Sequence, residues 1–312
     1  MRRFLLPSFL FIVLLLLLLS PSRYFQSVQG GLLLFASSVL PSMLPYFFFT
    51  KLLTGTGCVG GLADSVGRPL GRAYRLPPVV AYPFLMSLLS GYPVGARVLS
   101  DLYEREVING DDAAHAASFC STSGSMFMLG SVGAVILKDV GAAALILVAH
   151  YLGAFLNGFL YRGKKGKGLS PLMPLPSSEA AISDAMYESV LSLAVVGGFI
   201  AVANLLGDMV IDLLTKCGWG RAFSGRVSGG VLYSAFEVTR GCVEFASLDM
   251  SRGLTAALCC FAVSFGGLSV LLQSIAFLGK TGLKTGKFLL MKSTQAVISF
   301  AICLALGTLF LR

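Results

Sequence analysis

Ser90-Gly91-Tyr92-Pro93-Val94-Gly95-Ala96-Arg97 closes an apolar run that begins at Ala81. Two glycines and a proline in so short a stretch break a helix. Proline removes a backbone donor and clashes with the preceding turn, and glycine adds backbone freedom. Inside a bilayer a broken helix leaves backbone polar groups with no water to satisfy them. Such breaks persist only where they are buried in protein or line a cavity. A break that carries an arginine therefore reads as a candidate substrate site rather than a lipid-facing segment.

The rest of the chain makes the bilayer the right solvent to reason with. Of 312 residues, 55% are hydrophobic and 12% are charged, with a mean hydropathy of +0.81; a soluble domain carries about 25% charged residues. The net charge is +9, but the basic residues cluster in short loops. That pattern sets membrane orientation and contact with anionic lipid, and no nucleic-acid partner is expected. The seven cysteines form no C-x-x-C pair and mostly lie in apolar runs, as buried free thiols do. His115 and His150 fall in no metal-binding spacing. No cofactor is expected, and no nucleophile–base constellation marks an enzyme.

Met1-Arg2-Arg3 precedes an apolar run over 4–19, read as an uncleaved signal-anchor helix with its start on the cytoplasmic side. A second span over 32–53 contains Pro41 and Pro45, which predict a kink. Gly55-Thr56-Gly57-Cys58-Val59-Gly60 is formally G-x-G-x-x-G, but it follows a membrane helix rather than a strand. It reads as a helix end and loop, carrying Arg68, Arg72 and Arg75 onward. Further spans are predicted over 119–137, 141–161, 186–214, 254–278 and 288–311. The segment 163–185, with Lys164, Lys165, Lys167 and three prolines, reads as a basic cytoplasmic linker.

Across that linker the chain repeats itself. The Gly91 break has a counterpart at Ser234-Ala235-Phe236-Glu237-Val238-Thr239-Arg240-Gly241, and the start Ser121-Thr122-Ser123-Gly124 has one at Ser264-Phe265-Gly266-Gly267. With both breaks taken as re-entrant, the inside segments hold 12 Lys and Arg and the outside segments 6, as the positive-inside rule requires. A full crossing at 76–96 would put two strongly basic loops on opposite faces. The expected fold is an all-α polytopic membrane protein of about seven transmembrane helices plus two re-entrant helical hairpins. Its parts are the anchor (1–30), one repeat (31–162), the linker (163–185) and a second repeat in inverted orientation (186–312). Inverted repeats with broken helices meeting near the midplane are a transporter plan.

The candidate binding residues follow from the breaks. They are Gly91, Tyr92, Pro93, Gly95 and Arg97 in the first hairpin, and Glu237, Thr239 and Arg240 in the second. Ser121, Thr122, Ser123 and Gly124 join them from one broken span, and Ser264, Gly266 and Gly267 from the other. If the tips meet, Arg97 and Arg240 approach one cavity. Their forked donors suit a small anion, including a dicarboxylate, with serine and threonine hydroxyls completing the shell. Simpler readings stand beside this one. Arg97 could pair with Asp101 or Glu104, and Arg240 with Glu237 or Glu244. Glu237 could bind a polar substrate, carry a coupling proton, or pair with Arg240.

Leu40-Pro41-Ser42-Met43-Leu44-Pro45-Tyr46-Phe47, Gly91-Tyr92-Pro93-Val94-Gly95-Ala96, Asp101-Leu102-Tyr103 and Phe119-Cys120-Ser121-Thr122-Ser123-Gly124 together resemble the YlbJ and stage V sporulation protein V family. That family is of sporulation integral membrane proteins sharing the nucleoside-recognition Gate domain of concentrative nucleoside transporters. The resemblance implies a transporter in the outer forespore membrane that moves dipicolinate (pyridine-2,6-dicarboxylate) during sporulation, with the lipid bilayer as its other partner. Homo-oligomerisation stays open. The same fold admits a concentrative-type nucleoside transporter, and a non-transporting sporulation assembly protein is a further reading. Where the family is expected to carry Asn-Asn-Ser-Gly-Pro, this chain has Ser121-Thr122-Ser123-Gly124-Ser125.

Overall fold

The computed structural model describes residues 2–163 and 182–311. The first half runs α1 (Arg2–Leu19), α2 (Pro21–Gly55), α3 (Cys58–Tyr74), α4 (Ala81–Ser90), α5 (Val94–Glu104), α6 (Gly110–Ala117), α7 (Phe127–Leu137) and α8 (Val140–Leu160). The second half runs α9 (Ile182–Lys216), α10 (Val227–Phe236), α11 (Val238–Ala246), α12 (Arg252–Phe265), α13 (Gly267–Leu278) and α14 (Thr285–Phe310). No strand occurs among the described residues. Among the described residues, five stretches are long and apolar enough to cross a membrane: Pro21–Gly55, Val140–Leu160, Ile182–Lys216, Arg252–Thr281 and Thr285–Phe310. The chain is an all-α polytopic membrane protein. Residues 164–181 of the expected linker lie outside the described residues, and α9 already begins at Ile182.

In α2 the two prolines bring a wider π turn over Phe35–Val39, just upstream of Pro41 and Pro45. A proline frees the carbonyl one turn back, and a π turn lets the ladder absorb that mismatch without breaking. α7 is wound in the same wide geometry throughout. Ser42 of α2 hydrogen-bonds Ser131 of α7 at 2.7 Å and Tyr46 meets Ser125 at 2.9 Å.

Both breaks are folded back on themselves. At Gly95 an added Cβ would stand 2.7 Å from Ser87 Cβ, so α5 returns along α4. At Gly241 the same construction meets Ser234, and at Gly230 it meets the Phe245 ring, so α11 returns along α10. Each hairpin tip rests on a break in a neighbouring helix. Gly91, at φ +71°, lies against the backbone of Ser123 and Gly124, in the extended stretch 121–124 that separates α6 from α7. Gly267, at φ +65°, lies against the carbonyls of Ser234 and Phe236, where Gly266 and Gly267 separate α12 from α13. Side chains are excluded at these approaches, which is why glycine occupies them.

Four ion pairs sort the molecule's two ends. Lys51–Glu188 (2.6 Å) and Lys280–Glu104 (2.7 Å) join positions that the re-entrant layout expects at the inside end. Arg23–Asp212 (3.1 Å) and Arg252–Asp139 (2.7 Å) join positions it puts outside. Full crossing at 76–96 would put Lys51 opposite Glu188 and Arg23 opposite Asp212, while the other two pairs lie wholly after that segment and do not discriminate. Asp139 caps α8 by accepting from the Ala142 N–H. Burial opposes its ionisation, but that N–H and the Arg252 guanidinium outweigh burial and hold the carboxyl below the usual carboxylate range. Cysteines placed at Arg72 and Lys284 are expected to react with an impermeant maleimide from one face, and cysteines at Lys138 and Lys216 from the other. Labelling of Arg72 and Lys284 positions from opposite faces contradicts the hairpin topology.

One expectation is corrected. The residues after Gly57 are not a loop but helix α3, whose buried face carries Ala63, Leu70 and Tyr74, with Val66 packed beside them. The spacing is helical, but small residues make the stripe faint. Tyr74 anchors it, stacking on Phe119 at 4.2 Å between ring centroids and donating to the Phe155 carbonyl at 2.7 Å.

Candidate functional site

The hairpin tips and the helix breaks converge on a cavity of about 60 Å³. Its polar lining is Tyr92, Ser123, Gly124, Glu237, Thr239, Ser269 and Gln273, and its apolar wall includes Val39, Ile200 and Val263. Both halves of the chain contribute. Val196 and Gln273 are shared with a second cavity of about 510 Å³. That vestibule is bounded by Ser90, Pro93, Arg97 and Asp101 of the first hairpin, by Thr50 and Lys51 of α2, and by Ser192 and Phe199 of α9. Its charged rim belongs to the end marked by the Lys51–Glu188 pair, the end expected from the charge distribution to face inside. The larger space is in the range of small-molecule sites; the smaller holds only a few waters.

Glu237 sits at the second tip, 3% exposed. Its carboxylate accepts from the Thr239 hydroxyl (3.0 Å) and from the Arg240 backbone N–H (2.7 Å), capping α11. The helix N-terminus offsets part of the cost of burying that charge. The guanidinium of Arg240 turns away. It pairs with Glu244 at 2.9 Å, lies 4.9 Å from the Tyr233 ring centroid and lines neither cavity. The expected convergence of the two arginines is therefore corrected: the i,i+4 partner on its own helix captures Arg240. Arg97 does line the vestibule; among the described residues it makes no direct ion pair, but its charge acts on Glu188, which Lys51 already engages. Asp101 does not engage it, and Glu104 is taken by Lys280.

The remaining predicted residues build the frame. Thr122 donates to Ser87 Oγ at 3.1 Å, tying the first break to the first hairpin. The Ser123 N–H donates to His150 Nε2 at 3.0 Å, so the other ring nitrogen carries the proton and donates to Ser264 Oγ at 2.7 Å. One buried histidine on α8 thus couples the break of the first half to the helix that breaks in the second. Ser121 accepts, through its carbonyl, from Lys292 of α14 at 2.9 Å. Gly91, Gly95 and Gly267 provide close backbone approach, while Gly266, at φ +88°, turns the chain beside the Val270 side chain.

Sequence reasoning missed Lys292, Gln295 and Gln273, and weighed His150 only as a metal ligand. The signal available was a polar residue inside an apolar run, and Lys292, close behind the start of the last span, was the clearest case.

No family model matches the chain, and no solved structure matches it significantly. The chain is similar to the sporulation integral membrane protein YlbJ of Bacillus subtilis (strain 168), at 27% identity over an alignment covering 94% of this chain and 80% of that protein.

Proposed function

We propose, for a chain that belongs to the YlbJ family, that it is a sporulation membrane transporter carrying a small carboxylate, dipicolinate in the first instance, across the outer forespore membrane. The observation that carries the reading is a vestibule of about 510 Å³ with an arginine on its wall that makes no direct ion pair among the described residues, leading to a smaller polar cavity between two opposed hairpin tips. Arg97 would receive one carboxylate in the vestibule, where a forked guanidinium fits it. Ser123, Thr239 and Gln273 would offer neutral hydrogen bonds deeper in. The two breaks give the hairpins ends that can move against α2 and α9, as alternating access requires.

Glu237 favours a second reading. A carboxylate at the inner cavity repels an anion and attracts hydroxyls, which suits a nucleoside of the concentrative-transporter type. Binding to the purified protein separates the two, and separates both from an assembly protein that transports nothing. Dipicolinate at 100 times its Kd is expected to stabilise the fold by about 2.7 kcal/mol, with uridine inert. Stabilisation by uridine alone selects the nucleoside reading, and stabilisation by neither ligand removes transport of both.

A further inference from the structure

Lys292 is 1% exposed, in the middle of the protein, and among the described residues it has no acidic partner. An unpaired ammonium in such a place is costly unless its donors are all used. They are. Nζ donates to Tyr92 Oη at 2.6 Å, to Gln295 Oε1 at 2.7 Å and to the Ser121 carbonyl at 2.9 Å, and it lies 4.8 Å from the Tyr92 ring centroid. Three N–H groups thus meet three neutral oxygens. The oxygens come from three separate places: the tip of the first hairpin, the unwound stretch before α7, and α14 itself. Two further polar atoms beside them, Ser121 Oγ and Gln295 Nε2, have no partner.

A shell of neutral oxygens without carboxylates suits a monovalent cation; hard divalent ions recruit carboxylates. We propose that this junction is a monovalent-cation site whose occupant is the ammonium of Lys292, tethered to the chain. The tethered charge holds the first hairpin tip against the first break and makes a dissolved ion unnecessary there. Insofar as the transport reading above holds, uptake then needs no sodium at this junction.

Removing the tether should convert the site into one for a dissolved cation. Lys292→Ala deletes the equivalent of one n-propylammonium ion. The full-length variant in detergent is expected to melt well below wild type in choline chloride. Replacing choline by n-propylammonium at constant ionic strength is expected to raise its Tm saturably, while wild type and Lys292→Met stay unmoved. Parallel sodium and potassium arms show which bare ion enters. Absence of a saturable rise with all three cations, or an equal rise in Lys292→Met, overturns the site. If Lys292→Ala does not fold, Lys292→Met decides, because it keeps length and bulk without charge. A wild-type Tm for it overturns the site, and a lowered Tm that Lys292→Arg restores supports it. If vesicle uptake fails while cation rescue succeeds, only the transport reading falls.

Discussion

Gly95→Val is expected to prevent accumulation of folded protein. The added Cβ would run into the Cys120 carbonyl and also stand 2.7 Å from Ser87 Cβ. Neither neighbour can yield easily. Cys120 is fully buried, just before the unwound stretch 121–124, and Ser87 is fully buried on α4, where it accepts from Thr122. Overpacking of a rigid site costs about 1–3 kcal/mol; a clash with backbone sits at or above the top of that range. Gly91→Ala compounds a clash at Gly124 with a positive φ of +71°. The control is Gly198→Ala on α9, where a Cβ meets nothing within 4 Å; there alanine is expected to be neutral or to stabilise by up to ~1 kcal/mol. Detergent-solubilised yield and size-exclusion profile check all three. A monodisperse Gly95→Val at wild-type yield contradicts the packed hairpin.

The second large effect separates the two arginines. Arg97→Gln is expected to cut dipicolinate uptake roughly thirtyfold, the equivalent of about 2 kcal/mol for one charged hydrogen bond to a carboxylate. Arg240→Gln is expected to stay within about twofold of wild type, since it removes a partly exposed pair with Glu244 and a contact with the Tyr233 ring, neither of which lines a cavity. Initial uptake rates normalised to reconstituted protein measure both. Equal losses in the two variants contradict the assignment of the vestibule as the anion's route.

The sequence was informative where backbone chemistry leaves a mark. Pro93 with Gly91 and Gly95 announced the first hairpin, and the clustering of arginines and lysines gave the expected side of entry. Glu237 stood out as an acid in an apolar context, although its role as cap to α11 emerges only with the fold. The Glu244 partner of Arg240 was visible one turn along and proved the better guide than symmetry between the halves. Two things were not legible. Helix α3 begins among glycines and buries small side chains, so its stripe did not rise above a loop pattern. The network around His150 and Lys292 joins residues 114 and 200 positions apart. A lone polar residue in an apolar run shows that a partner is needed without showing which one, because the partner is chosen by packing of the two halves.

The most direct measurement of the central claim is uptake of labelled dipicolinate and labelled uridine by vesicles containing the purified full-length protein. Time-dependent, saturable dipicolinate uptake that exceeds protein-free vesicles and falls roughly thirtyfold in Arg97→Gln is the predicted result. Uptake of uridine without dipicolinate, or dipicolinate entry no faster than in empty vesicles, contradicts it.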